Sequence, residues 1–489
     1  MATASEAARL LATKQRAAII APAGSGKTHL IAEAVAKHTS GRQLILTHTH
    51  AGVAALRRRL KNLGAASHKY EVETIAGWTL RFATSFSAST GITSSPATAP
   101  EWRALYSPTC ALLERRPLIK VLRASYAGVF VDEYQDCTVD QHAVILALAA
   151  CLPCRVVGDP LQSIFGFGDN KIVSWSEHVA PSFETLPELE EPWRWKQKNE
   201  PLGHWLLNAR VLLQTGSAVS LTDAPVTWHP SGTNPQKAIA ACLALANATE
   251  SVVAINQWAR QSRALAKCLL GRYSCVEAIE DNELEKAASA IEGSHGVDRA
   301  LAVIDFVGEC CTKVSTETKT IRAAIQKGKA STSMRKHLDQ YQALRTVAEN
   351  ADIGSVAGAV RCLTQIEAAH VYRYDAIDDM LRSVAECARG SSDTLVNAIK
   401  TGRERKRRLG RHLHPRSVGQ TLLIKGLEFD HAVIFDAHQF DRENLYVALT
   451  RGCRSLTVFS REATLGPFST PSTNKLAPAG TIPRPRSGG

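Results

Sequence analysis

Two short stretches of this chain place side chains where phosphate chemistry needs them. The first, Ala21-Pro22-Ala23-Gly24-Ser25-Gly26-Lys27-Thr28, follows the apolar run Ala17 to Ile20 and precedes a helical pattern. A strand, a glycine-bearing loop and a helix in that order let backbone N–H groups close around a phosphate chain, and the helix N-terminus adds its dipole. Lys27 is then spaced to reach the outer phosphates, and Thr28 to offer a hydroxyl to Mg²⁺. The strict pattern has Gly where Ala21 stands. The second stretch is Asp132-Glu133-Tyr134-Gln135-Asp136, directly after the apolar run Val129-Phe130-Val131. Carboxylates at the end of a buried strand suit a nucleotide site: Asp132 to hold Mg²⁺, Glu133 to polarise the attacking water. The pair predicts hydrolysis of a nucleoside triphosphate, driven by positioning and charge neutralisation.

The elements that must carry these residues are legible in the pattern. From Leu10 to about Leu186 short apolar runs (Ala18 to Ile20, Leu44 to Thr47, Val129 to Val131, Arg155 to Val157) alternate with helical segments, which argues for a parallel α/β sheet. A segment from Trp78 to Pro117, rich in Ser, Thr, Ala and Pro, reads as a small insertion. A second α/β set is expected around Val226 to His229, Ser251 to Ile255, Ala432 to Phe435 and Ser455 to Phe459. Between about Val276 and Pro415 strand signals vanish, and helical spacing dominates, as in Val297 to Val307 and Ala376 to Ala388. That insertion ends in a basic stretch with Arg403, Arg405, Lys406, Arg407, Arg408, Arg411 and Arg416, read either as a solvated helix face or as a nucleic-acid contact. From about Thr470 the composition predicts disorder.

With 489 residues, 45% of them apolar, more than one core is expected. The excess of 58 Lys and Arg over 46 Asp and Glu gives +12, which suits a polyanionic partner without requiring one. Twelve cysteines are scattered, and the single CxxC (Cys151, Cys154) has no second pair at zinc-site spacing, so free thiols in a reducing cytosol are expected. Met1 to Arg9 carries no secretory pattern, and no apolar run reaches membrane-spanning length, so the expectation is a cytoplasmic protein with no membrane partner.

Taken together the spaced motifs resemble superfamily 1 helicases of the UvrD type, in the family's order over most of both α/β regions. The resemblance implies two RecA-like cores with parallel sheets: 1–78 and 118–187 for the first, 188–275 and 415–468 for the second. The insertions then span 79–117 and 276–414, and 469–489 is the tail. It further implies ATP and Mg²⁺ as cofactors. Gln15 matches an adenine-reading glutamine; Thr47, Thr49 and His50 lie in the first strand-contact motif. Gly158 to Phe165 resembles the motif that couples γ-phosphate to the DNA track, with Gln162 as sensor and Phe165 and Phe167 as stacking rings. In Glu191-Pro192-Trp193-Arg194 the Trp would stack on adenine and Arg194 would meet the γ-phosphate. Arg451, closing Tyr446-Val447-Ala448-Leu449-Thr450-Arg451, would be the second phosphate arginine, and Glu428 of Lys425-Gly426-Leu427-Glu428-Phe429-Asp430 would sit near the ribose or in the coupling network.

Two departures qualify the DNA side. Gly168 stands where the family has Arg, and Leu422-Leu423-Ile424 replaces polar residues ahead of Lys425. The resemblance implies an ATP-dependent motor moving 3′ to 5′ on single-stranded DNA or tailed duplex. The alternative is a DNA- or nucleotide-sensing regulatory ATPase beside a partner nuclease, similar to the helicase-like subunit of Gabija-type antiphage systems.

Overall fold

A computed structural model describes residues 4–93, 99–166, 171–232, 235–245, 249–278, 282–329, 336–350, 352–409 and 413–468. Two six-stranded parallel sheets organise the chain, and it is an α/β protein. The first contains β1 (Arg16–Ile20), β2 (Gln43–Thr47), β3 (Tyr70–Thr74), β4 (Gly128–Val131), β5 (Cys154–Gly158) and β6 (Glu184–Leu186) in the order β3-β2-β4-β5-β1-β6. The central strands β2, β4 and β5 are buried at every position, as strands covered on both faces by helices must be. β3 escapes an apolar-run reading because Tyr70-Glu71-Val72-Glu73-Thr74 alternates; it is an edge strand with Val72 and Thr74 turned inward.

The short strands β7 (Val219–Ser220) and β16 (Thr464–Leu465) pair outside the main sheets, as do β11 (Cys311–Thr312) and β12 (His370–Val371). The second large sheet joins β8 (Thr227–Pro230), β9 (Val252–Asn256), β10 (Ser274–Cys275), β13 (Arg416–Gln420), β14 (Phe429–Ile434) and β15 (Gly452–Ser460) in the order β10-β13-β9-β14-β15-β8. Both sheets end one central strand in the same way: Glu133 after β4 and Asp436 after β14 adopt left-handed backbone (φ 54° and 48°), each followed by a short 3-10 turn.

The segment read as a small insertion is helical where described: Ile75–Ser85, Ser87–Thr90, Ala99–Ala104, Tyr106–Leu113 and Arg116–Ser125 lead into β4. Between β10 and β13, among the described residues, seven helices from Glu283–Gly293 to Leu395–Leu409 surround their own apolar core, including Val303, Val307, Leu344, Val360 and Met380. The β11–β12 pair is the strand structure that the sequence pattern did not show there. It is two residues deep, too short to leave a periodic signal. No described helix is long and apolar enough to cross a membrane. The tail expected to be disordered, 469–489, lies outside the described residues, as do Phe167, Gly168 and Arg411.

Candidate active site

The loop after β1 is shaped by its glycines. Gly24 (φ 73°) presses against the next unit so closely that a Cβ there would stand 2.4 Å from the Trp195 ring, and Gly26 (φ 92°) forms the N-cap of the helix Lys27–Glu33. Ala21 is outside that constraint. It continues β1 beside β5, its N–H bonded to the Gly158 carbonyl at 2.8 Å, without positive φ. A glycine at that position is therefore unnecessary. Lys27 is buried and donates to the Ala21 carbonyl at 3.1 Å, folded back over the loop.

Across the loop, Thr28 Oγ1 donates to Asp132 Oδ2 at 3.1 Å, so the two groups expected to share a divalent cation already meet. Burial, then the neighbouring Glu133 charge, pushes the Asp132 carboxyl up to about 7. A divalent cation would relieve that strain, which is why the donor set suits Mg²⁺. Burial also works against Glu133, yet Lys27, Lys425 and a 2.6 Å bond from Gln135 Nε2 hold it below the usual carboxylate range. Glu133 is thus an ionised acceptor held in a left-handed backbone, a conformation retained where the surroundings fix it.

Gln135 continues the network: its Oε1 accepts from the Asp159 N–H at 2.9 Å. The buried Asp159 carboxylate in turn accepts from Gln162 Nε2 at 2.8 Å and from Arg210 Nη2 at 3.4 Å. Gln162 is thereby coupled to the turn that carries Glu133, and it also lines the cleft.

The opposite wall comes from the segment after β6 and from the second sheet. Arg194 N–H donates to the Gly24 carbonyl at 3.1 Å, its Nη1 to the Thr450 carbonyl at 2.7 Å, and its Nη2 pairs with Glu428 at 2.8 Å. Arg451 is 1% exposed and donates only to Val447 O, Leu427 O and Thr450 Oγ1 among the described residues. Burial and the Arg194 charge pull its guanidinium down to about 9, against Glu428 and Glu133. A buried cation with no carboxylate in contact is poised for an incoming anion. Tyr446, in the helix Arg442–Leu449 that precedes Arg451, reaches the loop itself, its hydroxyl accepting the Ala23 N–H at 3.1 Å.

Gly24 to Thr28, Glu133, Gln162, Trp193, Arg194, Glu428 and Arg451 line one cleft of about 680 Å³, within the range of small-molecule sites. Pro22 and Ala23 lie just behind it. Trp193 is exposed, with the Lys196 ammonium 4.2 Å from its ring centroid on one face. Gln15 is not brought there. It is exposed, and its carbonyl accepts the Cys154 N–H where β1 and β5 begin, at the end of the strand opposite the loop. The cleft's remaining wall includes instead Ser5, His29, Glu33 and Arg59, which motif spacing did not flag; His29 Nδ1 is buried without a partner among the described residues.

The expected DNA contacts are less concordant. Thr47 is buried, Thr49 Oγ1 is spent capping the helix His50–Asn62, and His50 is exposed. His48, between the two threonines, faces Cys137 Sγ at 3.4 Å and is pushed down to about 4 by burial and by Lys425. Phe165 is half-buried, its ring 4.5 Å from Lys425 Nζ. In the basic stretch, Arg403 pairs with Glu285, Arg405 with Glu386 at 3.0 Å and Lys406 with Asp379 at 2.7 Å, so these charges are largely met within the insertion.

Residues 94–177 match the family model described as the UvrD/REP helicase N-terminal domain. That span runs through β4, the Asp132–Glu133 turn and Gln162, and it supports the UvrD-like superfamily 1 resemblance. Among solved structures the chain is similar to arterivirus nonstructural protein 10, a helicase, in complex with DNA (TM-score 0.35, 10% identity, 93% of this chain and 62% of that one). It is similar also to a crystal structure of arterivirus nonstructural protein 10 (TM-score 0.34, 12% identity, 93% and 61%). The chain thus spans about three fifths of the length of those proteins. No curated protein matches it.

Proposed function

We propose that the protein hydrolyses ATP with Mg²⁺ in the cleft between its two α/β units and uses the cycle to move 3′ to 5′ along single-stranded DNA, as a UvrD-like helicase or translocase. The observation that carries this reading is the convergence of Lys27, Glu133 and Thr28, the last bonded to Asp132, from the first unit with Arg194 and Arg451 from the second on one cleft. Lys27 and the loop amides hold the phosphate chain, and Thr28 with Asp132 holds Mg²⁺, which neutralises charge developing on the phosphates. Glu133, ionised, accepts a proton from the attacking water. Gln162, Arg194 and Arg451 meet the γ-phosphate from across the cleft, so its loss alters the attraction between the units. Trp193 offers the exposed ring for the base, and Glu428, paired with Arg194, is assigned to the ribose or to the coupling between the units.

A second reading, a regulatory ATPase that controls a partner nuclease, is favoured by specific observations. Thr47 is buried, Thr49 is committed to a helix cap, and Arg403, Arg405 and Lys406 of the basic stretch are paired within the insertion. Each weakens an autonomous grip on DNA. A cytoplasmic location accompanies either reading.

The test measures ATP hydrolysis with and without single-stranded DNA, with Lys27→Ala as the blank, and strand displacement from a duplex with a 3′ tail. Stimulation with displacement supports the helicase; stimulation without displacement supports the sensor. Hydrolysis that survives in Lys27→Ala would sink both.

A further inference from the structure

Trp193 lines two cavities. One is the nucleotide cleft; the other, of about 460 Å³, shares Ser25, Leu189 and the Trp193 ring with it and holds Lys196, which covers one face of that ring. This second cavity lies between the helix Ala4–Thr13 of the first unit and the start of the helix Glu200–Gln214, which packs into the second core. Its apolar lining includes Leu10, Pro187, Pro192 and the ring itself, with Leu10 and Trp193 exposed. Glu190, Glu191 and Glu200 stand around them. Glu191 is paired with Lys196 at 3.2 Å and Glu200 faces His204 at 3.7 Å, whereas the exposed Glu190 side chain meets no cation among the described residues. The nucleotide chemistry uses none of these three carboxylates.

Prolines and an aromatic ring flanked by carboxylates make a lining that receives a proline-rich segment in polyproline II form. Ring and prolines pack on the pyrrolidines, and the carboxylates take flanking guanidinium groups. The chain itself supplies such a sequence. Residues 469–489 carry four prolines, with Lys475, Arg484 and Arg486 and no acidic residue, and proline alternates with arginine in Pro483-Arg484-Pro485-Arg486. The reach is sufficient. The Phe468 N–H is bonded to the Gly216 carbonyl at 2.9 Å, beside the C-terminal end of the helix Glu200–Gln214, and the groove lies at the start of that helix. Its 15 residues span about 22 Å. The 14 residues from Ser469 to Ile482 extend about 43 Å in polyproline II form.

We propose that the segment Ile482 to Arg486 docks in this groove of its own chain, its prolines against Trp193 and Pro192 and its arginines against Glu190 and Glu200. An occupant held from both helices ties the first unit to the second beside Trp193, and so restrains movement between them. The docking stands apart from the motor reading; the restraint on ATP hydrolysis rests on it.

The experiment uses the full chain in three forms: wild type, Arg484→Glu/Arg486→Glu, and that variant with Glu190→Lys/Glu200→Lys added. A labelled peptide with the sequence of residues 476–488 is titrated into each by fluorescence anisotropy, with thermal midpoints as the folding control. A tethered tail competes at an effective concentration near millimolar, so the peptide should bind the Arg484→Glu/Arg486→Glu chain about tenfold more tightly than wild type. Adding Glu190→Lys/Glu200→Lys should abolish that binding. DNA-free ATP hydrolysis should rise about threefold in Arg484→Glu/Arg486→Glu, as a released restraint on movement between the units allows. Equal binding to wild type and the Arg484→Glu/Arg486→Glu chain, binding to neither, or binding that survives the groove reversal overturns the docking. Wild-type dimers that Arg484→Glu/Arg486→Glu dissolves overturn it too, since they place the segment in a second copy. Docking without a rise in hydrolysis overturns the restraint, and absence of hydrolysis in every form overturns the motor reading while the binding result stands.

Discussion

Lys425, from the second unit, donates to both carboxylate oxygens of Asp136 in the first, at 2.5 and 2.7 Å, and to the Gln162 carbonyl at 2.5 Å. The contact crosses between units three residues from Glu133, the proposed base. Burial raises the Asp136 carboxyl to about 7 and lowers the Lys425 ammonium, and each opposes the other's shift. Removing one partner leaves the other buried without compensation, at a cost of about 3–5 kcal/mol, most simply relieved by the units parting. Lys425→Ala is therefore expected to lower DNA-stimulated kcat at least tenfold while nucleotide affinity changes less. A double-mutant cycle with Asp136→Ala should show strong non-additivity in kcat. Additive effects would mean that the two side chains do not act together.

Lys27 and Glu133 separate binding from chemistry. Lys27→Ala should abolish turnover and weaken nucleotide binding. Glu133→Gln keeps the size and the hydrogen bond from Gln135 but cannot take a proton, so it should bind ATP normally and hydrolyse it about 10²–10⁴-fold more slowly. Fluorescent-nucleotide titration beside a phosphate-release assay distinguishes the two. Near-normal release from Glu133→Gln would remove that residue from the role of base.

Local spacing made the phosphate half of the site legible because strand, loop and helix are contiguous there: Gly24, Gly26, Lys27 and Thr28 occupy one turn of chain, and Asp132 ends a strand that is apolar throughout. Gln15 misled because proximity in sequence is not proximity along a strand; five residues of β1 carry the chain from one end of the sheet to the other. Thr47 misled for a related reason, since the last residue of a buried strand can point inward. The Lys425–Asp136 contact joins positions 289 residues apart, and Tyr446 meets Ala23 across 423. Such pairings depend on how two sheets pack, for which a single sequence holds no periodic signal. The strand β3 was obscured by polar residues that an edge tolerates, and β13 by Ser417, Gly419 and Gln420, which break the apolar run although its middle three positions are buried.

The two arginines should differ in what they lose. Arg451 is buried, has no carboxylate in contact, and gains its anion only from nucleotide, so Arg451→Ala should lower kcat by about 10³-fold or more, as removal of a phosphate-facing arginine does. Arg194 is held by Glu428 before nucleotide arrives. Glu428→Ala frees it and removes a group opposing Arg451's loss of charge, so it should tighten triphosphate binding relative to diphosphate by a few-fold. Competition of ATP and ADP for a fluorescent analogue measures the ratio, and an unchanged ratio would show that the Glu428 pairing does not restrain Arg194.

His142 ties the catalytic turn to pH. It is 5% exposed in the helix Val139–Cys151, its Nδ1 is 2.6 Å from the Tyr134 hydroxyl, and Tyr134 immediately follows Glu133. Burial, then the nearby His178 ring at 5.8 Å, lowers its pKa to about 4, so it is neutral in the folded protein at pH 7. The unfolded chain protonates it near 6.5, so the unfolded state binds more protons below that value. The stabilising contribution is present above pH 6.5 and is lost as pH falls towards 4, up to about 3 kcal/mol in all. His142→Asn preserves an acceptor for Tyr134 without titrating there. Urea midpoints at pH 7.5 and 5.0 should fall apart in the wild type and draw together in the variant. Equal differences in both proteins would place the acid sensitivity elsewhere.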